Sequence, residues 1–249
     1  MRITSRKNER AVHLKRLFND RAYREETGLF CCDGEKLLIE AVKNGAELDT
    51  VLISAPLSVT LPASAEVFEA DASVIDSVSP MKTPQKVVFS CKKPAPAEIS
   101  TAGRYIVLED MQDPGNVGTV LRTAGAFGTD AVILTGACAD MFNPKAVRAS
   151  MGAVFRVPFC SMTLAELLAL RDRAGLRLIG AALDSGASDI RRLDLGGCAV
   201  AIGSEGHGLS RELLDACDAK LIIPMDERCE SLNAAAAAAV IMWEIYRKN

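Results

Sequence analysis

The stretch Leu221–Ile245, LIIPMDERCESLNAAAAAAVIMWEI, changes character twice and sets the reading of the whole chain. Leu221–Pro224 is short and apolar, as a buried strand is, and Met225–Glu230 is a polar loop. A helix follows, which Ser231 or Asn233 can cap by accepting from backbone N–H groups a few residues on. Ala234–Ala239 then run without interruption. Alanine is the strongest helix former, and its methyl lets another backbone or a flat ligand come close. A strand, a loop and an exposed helix N-terminus are the parts of a small-molecule site at the carboxyl end of an α/β sheet. They are equally the parts of an ordinary buried terminal helix, so other stretches must decide.

Upstream the same alternation recurs. Strands are predicted at Tyr105–Leu108, Ala131–Leu134, Arg177–Leu183, Ala199–Ile202 and Leu221–Ile223. Helices are predicted at Val117–Phe127, Pro144–Ala153, Leu164–Ala174, Leu209–Cys217 and Leu232–Arg247. Such spacing gives a mostly parallel sheet covered by helices on both faces. Earlier, residues 8–26 have helical periodicity, with Leu14, Leu17 and Phe18 on one side and Gly28 as the stop. Leu29–Cys32, Thr50–Ser54 and Lys86–Ser90 read as strands, Glu35–Lys43 and Ala72–Val78 as helices. Lys92–Arg104, rich in Pro, Ala and Gly, is the best linker. The expectation is α/β throughout: a small domain at 1–91, a linker at 92–104 and a larger sheet domain at 105–249.

Composition is that of a globular chain, 49% hydrophobic and 24% charged, and the formal charge of −3 gives no hint of a nucleic-acid partner. Its distribution does. Residues 1–24 hold eight Lys or Arg against Glu9 and Asp20, a block able to contact phosphates or to be a solvated helix face. Within it Arg6, Lys7, Lys15 and Arg16 are the candidate phosphate contacts. Residues 101–249 hold fifteen Lys or Arg against eighteen Asp or Glu, so that half is mildly acidic. The eight cysteines form no C-x-x-C pair, and with His13 and His207 alone no metal set assembles. MRITSRKNER lacks the apolar core of a signal peptide, and the longest apolar run, Ala234–Trp243, is too short to span a bilayer. A cytoplasmic protein with free thiols is expected.

Three loops carry candidate chemistry. In Glu109–Gly118, EDMQDPGNVG, Asn116 is expected as the helix N-cap, with Val117, Val120, Leu121 and Ala124 buried and Arg122 off that stripe. No Lys-Ser/Thr follows the glycines, so it is not a P-loop. In Ala201–Leu209, AIGSEGHGL, three glycines in six residues allow a sharp bend or close approach to a ligand. Its order is neither the dinucleotide fingerprint nor a nucleophile elbow, which weakens an oxidoreductase or hydrolase reading. The third loop is the opening stretch. All three leave carboxyl ends of predicted parallel strands, so they converge on one crevice. Asn143-Pro144 begins another helix, where Lys145 and Arg148 share a face and can hold phosphates or simply be solvated.

With these motifs in view, the chain resembles the SpoU (TrmH-like) RNA ribose 2′-O-methyltransferases of the SPOUT superfamily. The likeness runs through Asp113–Gly128, Arg148–Gly152, Ala201–Ser210, Ile223–Met225 and Glu230–Ala236, in the family's order over about residues 104–247. Phe30–Lys36 resembles, more loosely, part of the substrate-binding domain that often precedes it. The resemblance implies S-adenosylmethionine-dependent methyl transfer to a ribose 2′-OH of ribosomal or transfer RNA, a C-terminal trefoil knot, and a homodimer with the site near its interface. It implies cofactor contacts at Gly203, Ile223 and Leu232, with Ile202, Ser204, Gly206, Pro224 and Met225 around them. Asn116, Arg122, Glu205, Ser231 and Asn233 would serve the reaction. A guanidinium rarely gives up its proton, so Arg122 is expected to hold RNA phosphate and steady the developing alkoxide charge, with phosphate or water assisting proton removal. A non-catalytic RNA-binding protein of the same fold is the competing reading.

Overall fold

Two helices, not the expected single one, open the chain, because Asp20 stops the first and starts the second. In the computed structural model, which describes residues 2–99, 103–184 and 186–248, Asp20 is extended (φ −121°, ψ 107°) and its carboxylate accepts from Tyr23 N at 3.1 Å. Helix α1 (Glu9–Asn19) and helix α2 (Arg21–Thr27) result, and Gly28 closes α2 in the left-handed region at φ 66°. Then come β1 (Leu29–Asp33), α3 (Glu35–Lys43), β2 (Leu48–Ile53), β3 (Glu66–Glu69), α4 (Ala72–Val78) and β4 (Val87–Lys92). The four strands lie in the order β1-β4-β2-β3, antiparallel except for the β2/β3 pair. The face of α1 anticipated from periodicity buries Leu14, Leu17 and Phe18 against Val74, Ile75, Val78 and Val88.

The chain divides into two units, residues 1–95 with 140–156, and residues 96–139 with 157–249. Positions 100–102 of the expected linker lie outside the described residues. The second unit begins with β5 (Tyr105–Glu109), α5 (Pro114–Ala126) and β6 (Ala131–Thr135). Helix α6 (Pro144–Ser150) then belongs to the first unit, although the sequence reading ran the sheet domain unbroken from residue 105. The cause is specific. Buried Arg24 donates to Asp140 Oδ2 at 2.7 Å and to the Leu17 carbonyl at 2.7 Å, while Phe142 and Phe155 pack on Phe30 and Arg156 pairs with Glu40. Arg24 is thus a structural member of the basic block, withdrawn from any nucleic acid.

The second unit continues with β7 (Phe159–Ser161), α7 (Leu164–Ala174), β8 (Arg177–Ala181), β9 (Ser188–Asp189), β10 (Cys198–Ile202), α8 (Arg211–Ala216), β11 (Ala219–Ile222) and α9 (Ala234–Arg247). Its seven strands run β7-β6-β5-β10-β8-β11-β9, every neighbouring pair parallel. Central β5, β6 and β10 are fully buried, hence their unbroken apolar runs. The chain leaves β5 toward β6 on one side, and β10 inserts on the other. That reversal opens a crevice at the strands' carboxyl ends. Alanine-rich α9 packs on α5, burying Ala234, Ala235 and Ala238, and Gly118 of α5 is likewise buried. No helix among the described residues is long and apolar enough to cross a membrane.

Candidate active site

The loops after β5, β10 and β11 meet through three side chains. Asn233 caps α9: its Oδ1 accepts from Ala235 N at 3.0 Å and Ala236 N at 3.2 Å. With that oxygen engaged, its Nδ2 turns to the Glu205 Oε1 carboxylate oxygen and to Asn116 Oδ1, the latter at 3.3 Å. Asn116 Nδ2 donates to the same Glu205 Oε1 at 2.9 Å. One carboxylate oxygen therefore gathers two amides from residues 89 and 28 positions away. Asn116 is not the N-cap expected of it. Asp113 caps α5, accepting from Gly115 N and Asn116 N, and Pro114 occupies the first turn where its missing N–H costs nothing. Asn116 is thereby freed to face Glu205.

Two further residues, not anticipated from sequence, shape the crevice. Glu109, only 4% exposed at the end of β5, accepts from Ser210 N and from Ser210 Oγ, both at 2.7 Å. It ties the glycine loop after β10 to β5. Asp110 adopts a left-handed conformation (φ 53°) and accepts from Ala137 N at 2.6 Å. A signal for Glu109 existed: an acid at the end of an apolar strand needs donors, and a polar loop is the nearest source. Within the loop, a β-carbon on Gly203 would overlap the Gly208 carbonyl and the Leu209 nitrogen, so only glycine fits this bend.

Behind the glycine loop lies a cavity of about 790 Å³, walled by residues 181–184, 202–209, 221–223, 225, 230–232, 234 and 237. Ile202, Gly203, Ser204, Gly206, Ile223, Met225, Ser231 and Leu232 all line it; Pro224 lies outside the wall and is exposed. Its charged residues are Asp184, Glu205 and Glu230, with no Lys or Arg. Lys220 donates to Asp184 at 2.8 Å and, with the Gly186 N–H, holds that carboxyl below the usual carboxylate range. Such a lining repels phosphates but suits a flat neutral base joined to a cationic sulfonium. S-adenosylmethionine, the cofactor that the sequence resemblance implies, has that chemistry. The glycine loop's other side faces a second hollow of about 660 Å³ that Asn116, Asp110 and Gln112 line.

A family model described as the SpoU rRNA methylase family matches residues 103–243, and one described as the MRM3-like substrate-binding domain matches residues 8–88. The chain belongs to the SpoU rRNA methylase family. It is similar to the 23S rRNA (guanosine(2553)-2′-O)-methyltransferase RlmP of Bacillus subtilis, 31% identical over 245 residues and 98% of each chain. Among solved structures it is similar to the AdoMet-bound rRNA methyltransferase from Sinorhizobium meliloti, with TM-score 0.88 and 28% identity over 100% of this chain and 98% of that one. It is similar too to the SpoU methyltransferase AviRb from Streptomyces viridochromogenes in complex with AdoMet, with TM-score 0.86 and 26% identity over 97% and 98%. As a SpoU methylase the chain is an S-adenosylmethionine-dependent RNA 2′-O-methyltransferase.

The remaining candidates of this SpoU chain scatter. Arg122 is exposed on α5 and makes no hydrogen bond or ion pair among the described residues, so it does not join the Asn116–Glu205–Asn233 group. Ser231 lies on the cavity wall, its carbonyl accepting from Cys229 Sγ at 3.4 Å. In the first unit Arg6, Lys7 and Lys15 are exposed, and Arg16 stacks on Tyr23 while pairing with Asp20. Lys145 and Arg148 are both exposed on α6. No cluster of His, Cys, Asp and Glu able to hold a metal occurs among the described residues.

Proposed function

We propose that this chain methylates a ribose 2′-OH in ribosomal RNA, working as a homodimer around the crevice at β5, β10 and β11. The carrying observation is the convergence of Asn116, Glu205 and Asn233 on the rim of a cavity without cations. Gly203, Ile202, Ile223, Leu232 and Met225 hold the cofactor, chiefly through backbone and apolar wall. When bound, S-adenosylmethionine supplies a methyl already activated on sulfonium, so the protein need only position the hydroxyl and handle its proton. Glu205 fixes the two amides, and its Oε2, which takes no hydrogen bond among the described residues, faces incoming substrate. Arg122 holds the RNA phosphate and steadies the alkoxide charge, phosphate or water taking the proton. Arg6, Lys7, Lys15, Arg16, Lys145 and Arg148 supply cations that the acidic second unit lacks.

The homodimer is supported by an exposed aromatic group where α5 meets α9. Phe127, Trp243 and Tyr246 lie with ring centroids 5.7–6.0 Å apart, and Trp243 is 49% and Tyr246 51% exposed. Exposed aromatic side chains grouped in this way are a candidate interface for a second copy. The trefoil knot belongs to the same proposal; its support is that β5, β10, β8 and β11 neighbour one another out of chain order. Mapping ribose methylation in total RNA from a deletion strain beside its parent tests the reading. One lost 2′-O-methyl mark in ribosomal RNA, restored by the wild-type chain and not by Glu205→Ala, is expected. An unchanged map would reject it.

A further inference from the structure

The first unit holds a cavity of a different kind, about 450 Å³, set between the β1–α3 turn, the 80–85 loop and α6. Its volume is in the range of small-molecule sites and suits one nucleotide. Unlike the cofactor cavity, it carries cations, Lys36 and Arg148, beside apolar Ile39, Met81 and Met151. Met151 is 46% exposed yet held in the left-handed region at φ 48°, an apolar side chain kept at an open rim on strained backbone. Asp33 also lines this cavity. Its Oδ2 is closed off from water and accepts no hydrogen bond among the described residues. Burial pushes the carboxyl up, opposed by the Ser79 hydroxyl, the Arg148 charge and the Gln85 N–H. A buried acceptor without a donor is costly and calls for an explanation.

An acceptor without a donor, apolar side chains and two cations ask for a ligand with a donor edge, apolar faces and an anionic group. Bases of unpaired RNA have those properties, stacked on side chains and read on their pairing edges. An ionised carboxylate only accepts. Guanine alone offers two adjacent donors on its pairing edge, the ring N1–H and the exocyclic amine. We infer that this cavity takes one unpaired guanosine of the RNA, with Asp33 accepting from that edge. Met81 and Met151 cover the base, and Arg148 and Lys36 meet its phosphates. The exposed Gln85 side chain, resting against Gly34, is the group that swings aside. This assignment rests on the RNA reading above.

The test uses the full chain and short labelled single-stranded RNA oligomers bearing one guanosine, inosine or uridine in an adenosine run, read by fluorescence anisotropy. The guanosine oligomer should bind about tenfold tighter than either the inosine or the uridine one, because each of those bases presents a single ring N–H where guanine presents two adjacent donors, so one charge-assisted hydrogen bond is lost. Asp33→Asn should erase the ranking while leaving S-adenosylmethionine affinity unchanged, with far-UV circular dichroism and an undiminished melting temperature certifying that the first unit folds. The inosine comparison needs no variant. Equal affinity for all three oligomers, or a ranking that survives Asp33→Asn, overturns the assignment. Absence of methyl transfer to ribosomal RNA by the wild-type chain would instead overturn the reading beneath it.

Discussion

Asn233 serves two neighbours with one amide, and a substitution can separate them. In Asn233→Asp a carboxylate oxygen still accepts from Ala235 N and Ala236 N, and Asp is as good a cap as Asn. The other oxygen, however, replaces a donor and faces Glu205. Thermal stability should hold within about 1 kcal/mol of wild type, while single-turnover methyl transfer falls about tenfold or more. A wild-type rate would mean that the amide is a cap and nothing else. Gly203→Ala tests the bend: the added methyl overlaps the Gly208 backbone, so calorimetry should find cofactor affinity lost in a folded protein. Asp33 gives a pH signature. Its folded-state pKa is raised, so below the unfolded value it is protonated in both states and burial costs nothing. Above the folded value it is ionised in both states and the cost is fully present. Asp33→Asn should therefore raise the melting temperature at neutral pH, by about 2 °C, and the gain should vanish as pH falls toward about 4.

At the scale of elements, the glycine loop after β10 is only as well placed as its anchor. Glu109→Ala leaves Ser210 N without its partner and should weaken cofactor binding about tenfold, with Glu109→Gln between. Because Ser210 Oγ also caps α8 at Leu213 N, Ser210→Ala loses two contacts. The double variant Glu109→Gln/Ser210→Ala should cost less than the two singles added, since both break one link. Strict additivity in the calorimetric cycle would deny the anchor. How much could be read beforehand follows from what each element depends on. Central β5, β6 and β10 announce themselves as continuous apolar runs because both faces are covered. Short edge strands β3, β7 and β9 have few apolar neighbours and left no such trace. The break at Asp20 and the exchange of capping between Asn116 and Asp113 turned on which of two competent side chains the backbone offered its N–H groups. Strand-end loops converge by a rule of parallel sheets, so the crevice was legible. The Asn116–Glu205–Asn233 contacts, joining residues far apart in sequence, were not readable from local pattern.

For the whole molecule, Arg122 poses the open question. It lies six residues beyond Asn116 on α5, about 9 Å along the axis and about 120° around it in an ideal helix. It therefore points elsewhere than Asn116, and nothing among the described residues engages it. The proposed homodimer would resolve this, because the aromatic group formed by Phe127, Trp243 and Tyr246 lies where α5 ends against α9. A dimer formed there would bring α5 of one protomer beside its partner, and we propose that each site then uses Asn116, Glu205 and Asn233 from one chain with Arg122 from the other. Two measurements follow. Trp243→Arg with Tyr246→Arg should give a monomer in analytical ultracentrifugation, with methyl transfer lost. Arg122→Ala and Glu205→Ala should each be nearly inactive alone. Mixed and allowed to exchange protomers, they should regain up to about a quarter of wild-type activity, since half the dimers are mixed and each has one intact site. A mixture as inactive as its parts would place Arg122 and Glu205 in the same protomer's site and remove the reason for dimerisation proposed here.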